Sequence, residues 1–185
     1  MAAVSRARQI EIENVVAELL SDYQIVEYPV SIEDVAEKLE IGLVAYSALS
    51  EKEGALARAA SKDAFNISDT FYTTVCIAYE DAGEGSWFKR SRFSGGHEIG
   101  HLVLEHEETT ANREEEADYF AGYLLVPHPL LGGGETEREV MARFGVSRDC
   151  AHRAMRQAEM RRRENREWSR NEKWLCESIV WRGHR

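Results

Sequence analysis

His97-Glu98-Ile99-Gly100-His101 is the stretch on which the reading of this chain turns. On a helix, residues four apart lie one above the other, so His97 and His101 share a face and Glu98 stands beside them. Two imidazoles at that spacing suit two ligands of a zinc ion. A neighbouring carboxylate suits a general base that works close to the metal without binding it. Three specified residues in five positions make the signal fairly specific for a 185-residue chain with only 6 His.

A zinc site that does chemistry needs a third protein ligand and one open position. The same helix stripe cannot supply the ligand: Glu105 would lie about 12 Å from His97 along the axis, at 1.5 Å per residue. The longer H-x-x-G-x-x-H continuation also fails, because Leu104 and Glu107 stand where Gly and the last His belong. The better source is Arg113-Glu-Glu-Glu-Ala-Asp-Tyr-Phe-Ala-Gly-Tyr-Leu-Leu-Val-Pro127, which has helical period and stops before a proline. At about 100° per residue, Ala117, Phe120, Ala121, Leu124 and Leu125 form one apolar arc. Glu114 falls inside that arc, while Glu115 and Glu116 fall outside it. A carboxylate turned inward is costly unless paired or metal-bound, which makes Glu114 the candidate third ligand. Asp118, one turn on, is placed to orient a ligating imidazole.

Outward from this pair of helices, Ala7 to Asp22 reads as an amphipathic first helix. Pro29-Val30 leads to Ser31, the N-cap of a second helix with Val35, Ala36 and Leu39 inside and Gly42 just past its end. Residues 43–49 and 71–79 read as strands separated by a polar stretch around Ala55 to Asp69, giving a small antiparallel or mixed sheet. Asp81 to Ser86 reads as a loop. Downstream, Glu137 to Arg156 has the outline of helix, Gly145 turn and Ser147-capped helix, a helix-turn-helix form that also fits a hairpin packed on the body. Residues 159–185 suggest a charged helix whose Trp168, Trp174 and Trp181 make an apolar seam for the body or a partner.

At the motif the chain resembles the ImmA/IrrE family of metallopeptidases, with the pattern aromatic-Ser/Thr, H-E-x-G-H, then E-x-x-A-[ND]-x-F-A-x-x-L-L-x-P. Here the pattern reads Phe93-Ser94, His97-Glu98-Ile99-Gly100-His101, then Glu114, Ala117-Asp118, Phe120-Ala121, Leu124-Leu125 and Pro127. The likeness extends more weakly over residues 8–160. It departs at Gly95-Gly96, where the family usually has bulkier residues, and in the Arg-rich tail. The resemblance implies a compact α+β, zincin-like metallopeptidase unit over residues 1–132 and a C-terminal helical segment over 133–185. It implies Zn2+, with Mn2+ as an alternative, held by His97, His101 and Glu114, with Glu98 as general base. It also implies a narrow protein substrate, an XRE-type helix-turn-helix repressor cut to derepress stress or mobile-element genes. The alternative of another class is a stoichiometric antirepressor or toxin-antitoxin component; a third is a DNA-binding regulator acting through residues 137–156.

For the oxyanion donor, Tyr119, Tyr123, His128 and His152 qualify by chemistry, and spacing does not choose among them. His106 and His128 read as ordinary surface or loop histidines and His184 as a tail residue. Trp87, Phe93, Tyr119, Phe120 and Tyr123 read as core lining the site.

Composition sets the outer limits. With 43% hydrophobic residues the chain can bury a core. No 18-residue apolar run occurs, and the charged start Met1-Ala-Ala-Val-Ser-Arg-Ala-Arg does not read as a secretory leader, so neither a membrane span nor export is expected. Cys76, Cys150 and Cys176 are too few and scattered for a disulfide framework, which fits a reducing cytoplasm and small buried thiols. Of the net charge of -10, residues 135–185 carry +4 and the rest -14. An acidic body argues against wholesale nucleic-acid binding.

Overall fold

A computed structural model describes residues 4–68, 75–81, 86–108 and 110–182. The first helix, α1 (Arg6–Asp22), starts where the Ser5 hydroxyl accepts from the Arg8 backbone and buries Ile12, Val16, Leu19 and Leu20. After strand β1 (Glu27–Tyr28), Ser31 caps α2 (Ile32–Lys38), whose first turn carries Glu33 and Asp34 against the helix dipole. That helix closes through Glu40, at φ 58°, so the left-handed turn falls on a glutamate, and Gly42 opens the next strand.

Strand β2 (Gly42–Ala45) is shorter than expected because residues 46–48 tighten into a 3-10 turn. The polar stretch that follows holds two elements the sequence reading did not separate. Helix α3 (Glu51–Ala60) begins with a Ser50–Glu53 capping box, and strand β3 (Ala64–Ser68) follows it. Strand β4 (Val75–Tyr79) matches the second half of the expected strand; residues 71–74 lie outside the described residues. The order is β2-β4-β3, parallel between β2 and β4 and antiparallel between β4 and β3, so the sheet is mixed and β3 is an edge.

Helix α4 (Ser86–Val103) carries the motif and packs along α5 (Ala111–Leu125). Glycines permit this close approach: a Cβ on Gly100 would meet Phe120 of α5 at 3.0 Å, and one on Gly95 would meet Ile32 of α2 at 2.7 Å. The Gly95 departure from the family pattern is thus matched by a close helix contact. Past Pro127 and a 3-10 turn at His128–Leu130, a Thr136–Glu139 capping box opens α6 (Glu137–Phe144). Gly145, at φ 62°, ends it, and Ser147 caps α7 (Arg148–Arg163). Helix α8 (Arg170–Ser178) lies on α1, and strand β5 (Val180–Trp181) pairs in parallel with β1.

The tryptophan seam docks on the body. Trp181 meets the rings of Tyr28 and Phe144, and Trp168 stacks on the Arg161 guanidinium. One apolar core joins α1, α4, α5, α7 and α8 through Ile12, Ile99, Phe120, Ala154 and Leu175. Among the described residues no helix is long and apolar enough to cross a membrane. Of the three free thiols, Cys150 is buried, Cys76 is half-buried and Cys176 is exposed, contrary to the expectation of three buried ones.

His128 is also not a surface residue. It is fully buried, edge-on to Tyr123, with Nε2 3.3 Å from Gln157 Oε1. Its 3-10 turn packs against α7 and α8, with the His128 ring against Tyr119 and Tyr123 of α5, a placement set by tertiary packing. Burial pushes its imidazole down to about 3, although Glu13 lies 3.5 Å away, because Arg6, Arg161 and Arg166 already surround that carboxylate. An unfolded histidine titrates near ~6.5, so below that pH the unfolded chain binds a proton that the folded chain refuses. His128 therefore contributes its full stability above about pH 6.5, and the contribution falls by roughly 1.4 kcal/mol per pH unit as the medium is acidified toward 3. Urea unfolding should show a shallower loss for His128→Phe than for wild type between about pH 6.5 and 5; equal slopes would contradict the assignment.

Candidate metal centre

Two helices build the site. His97 Nε2 and His101 Nε2 lie 3.0 Å apart on α4, and the Glu114 carboxylate of α5 faces both, with Oε2 3.3 Å from His97 and Oε1 3.2 Å from His101. One ligand atom from each of the three falls within 4.8 Å of the others. Two neutral imidazoles and a carboxylate converging on one point are a donor set that suits zinc, with room left for a fourth ligand on the open side. Glu114 is 44% exposed at its side chain, so it stands on the wall of a cleft and not in the core.

Behind this trio, His97 Nδ1 lies 2.9 Å from Asp118 Oδ1, one helical turn beyond Glu114. Burial opposes charging of His97, but Asp118, helped by Glu98 and Glu114, raises its affinity for a proton. His101 is shifted the other way, by burial and by the neighbouring His97.

Glu98 borders the cleft without joining the converging trio. Burial pushes its carboxyl up, His97 pulls it down and Glu114 pushes it up again, with a net upward shift that suits a group taking and returning a proton. The cleft, of about 980 Å³, runs along β3 past Phe65 and Asn66 and along α4 past Phe93 and Ser94. Asn66 donates through Nδ2 to the Glu98 carbonyl at 3.4 Å, while its buried Oδ1 has no hydrogen-bond partner among the described residues.

The four oxyanion candidates do not reach this cleft. Tyr119 and Tyr123 lie roughly 140° and 180° around α5 from Glu114 at about 100° per residue, and they turn toward α1 and α8. There the Tyr119 hydroxyl donates to Glu13 at 2.6 Å and the Tyr123 hydroxyl donates to Glu172. His128 is buried with Gln157, and His152 pairs with Glu137 on the surface. The helical wheel already contained the signal for both tyrosines. Phe93 lines the cleft and Phe120 packs between the two helices; of the Trp87 side chain nothing is described.

His106 is not a surface histidine either. Its side chain is only 4% exposed, its Nδ1 is 3.0 Å from His101 Nδ1, and its Nε2 is 3.3 Å from Glu116 Oε2. Glu116, placed outside the apolar arc by its spacing, is inward too, at 19% exposure, and pairs with Arg8 of α1 at 2.8 Å.

Residues 89–156 match the family model of the IrrE N-terminal-like domain, Peptidase_M78, a span that holds every residue of this centre on α4 and α5. That stretch of the chain is thus similar to a metallopeptidase domain, and the α+β architecture around it is consistent with a zincin-like fold. No curated protein and no solved structure matches the chain.

Proposed function

We propose that this chain is a zinc endopeptidase, with His97, His101 and Glu114 as metal ligands, Asp118 orienting His97, and Glu98 as the general base. The observation that carries the reading is the convergence of three donor atoms from two helices, with an upshifted carboxyl beside them. Zinc at such a centre supplies Lewis acidity, acidifying a water and polarising a carbonyl. Glu98 takes the proton released as the scissile carbonyl is attacked and returns it to the leaving amine. His97 is held by Asp118 through Nδ1, so its Nε2 is the atom that would hold a metal.

The edge of β3 beside the cleft, which pairs with no further strand among the described residues, supports docking of an extended substrate segment as an added strand. The resemblance supplies the finer reading, an XRE-type helix-turn-helix repressor as the protein cut, with activity in the cytoplasm. The test is to incubate the zinc-loaded chain with purified XRE-type repressors and sequence any new termini by mass spectrometry. One cleavage site with wild type and none with Glu98→Gln is expected. Relief of repression by Glu98→Gln without cleavage would overturn the enzyme reading in favour of a stoichiometric antirepressor.

A further inference from the structure

We propose that His106 is a positioning residue for the metal centre, accepting the Nδ1–H of His101 so that this ligand presents Nε2 to the ion. The inference rests on the reading of His97, His101 and Glu114 as ligands. A neutral imidazole carries one proton, so a ring whose Nε2 donates its lone pair to a metal must carry that proton on Nδ1. His97 places it on Asp118. Among the described residues no carboxylate meets His101 Nδ1, which instead lies 3.0 Å from His106 Nδ1.

Two Nδ1 atoms at that distance require one bare and one protonated nitrogen. With the proton on His101, the His106 ring must carry its own on Nε2, which faces Glu116 Oε2 at 3.3 Å. The opposite assignment sets two N–H groups against each other and points a lone pair at a carboxylate. With His101 Nε2 kept for the metal and His106 neutral, the contacts of these two rings on the Nδ1 side form a directed chain: Arg8 holds Glu116, Glu116 accepts from His106, and His106 accepts from His101. Because the His106 side chain is nearly inaccessible, bulk water is poorly placed to substitute for it.

Local backbone geometry accounts for the contact. Helix α4 closes in a left-handed turn at Glu105, φ 54°, with His106 N–H bonding the His101 carbonyl at 2.9 Å and Glu105 N–H bonding that of Leu102 at 3.2 Å. This pair of bonds is the Schellman arrangement, which folds the second residue past the helix cap back onto the residue five positions earlier. Here those residues are His106 and His101. The centre is therefore tied on one side to α5 through Asp118 and on the other, through the relay, to α1.

The test is zinc affinity by chelator competition for wild type, His106→Ala and His106→Asn, with thermal unfolding of each zinc-free chain alongside. Loss of a partner that orients a metal-ligating histidine weakens binding by roughly 10- to 100-fold, the change expected for His106→Ala. His106→Asn, whose carboxamide oxygen accepts the same proton, should recover most of it; a purely structural His106 would lower stability in both variants and leave their zinc affinity alone. In nitrogen-15 spectra of the zinc-loaded wild type, His106 should be protonated at Nε2 and His101 at Nδ1. Unchanged zinc affinity in His106→Ala, or a His106 protonated at Nδ1, overturns the proposal. Failure of wild type to bind zinc in the same titration overturns the ligand reading beneath it, so the two failures are distinct.

Discussion

Glu98→Gln should retain the metal and lose hydrolysis of the target protein by about 10²- to 10⁴-fold, the usual worth of a positioned acid or base. The amide is close in shape to the carboxyl, so cleft and helix should persist, and Glu98 is not one of the converging donors. What disappears is the capacity to accept and return a proton. The carboxyl of wild type is shifted upward by burial and by Glu114, which lowers the cost of carrying that proton between the two halves of the reaction. Equal metal content by mass spectrometry together with the loss in turnover is the expected pair of results. Undiminished cleavage by Glu98→Gln would assign the base elsewhere.

The second large effect is on stability. Arg161 is buried, and it donates from Nη1 to Glu13 Oε2 at 3.2 Å, from Nη2 to Glu172 Oε2 at 2.7 Å and to the Glu167 carbonyl at 2.9 Å. Glu13 and Glu172 are themselves buried and accept from Tyr119 and Tyr123, so α1, α5, α7 and α8 meet in one ionic cluster. Arg161→Met removes one partner and leaves carboxylates under-compensated away from water. The expected loss is about 3 to 5 kcal/mol in urea unfolding, the cost of breaking a buried pair from one side. Replacing Arg161 and Glu172 together by apolar residues of similar volume should cost less than Arg161→Met alone, because Glu13 keeps Arg6 and Arg166 and no buried carboxylate is left without a cation. A loss below about 1 kcal/mol for Arg161→Met, the range of an exposed pair, would contradict the cluster's role.

Much of this arrangement is local enough to be legible in the chain. Ser31, Ser147 and Gly145 punctuate helices by backbone chemistry that needs no distant partner, and Pro127 follows the end of α5 as expected. The spacing of His97, His101, Glu114 and Asp118 similarly places four side chains by helical geometry alone. Helix α3 escaped because it buries only Gly54 and Ala57, leaving no apolar stripe to read. Strand β3 is a short edge whose Asn66 breaks the apolar pattern. Glu13 looks like one more solvated glutamate until Arg161, 148 residues away, is brought against it. His106 depends on a left-handed turn at Glu105, a conformation a glutamate does not announce.

The central claim is a metal centre built by His97, His101 and Glu114, and its most direct measurement is metal content per chain by plasma mass spectrometry after zinc reconstitution. Wild type should hold about one zinc ion, and His101→Ala and Glu114→Ala should each lose it or bind it far more weakly, as a three-ligand site requires. Wild type without bound metal, or both variants loaded as fully as wild type, would contradict the account.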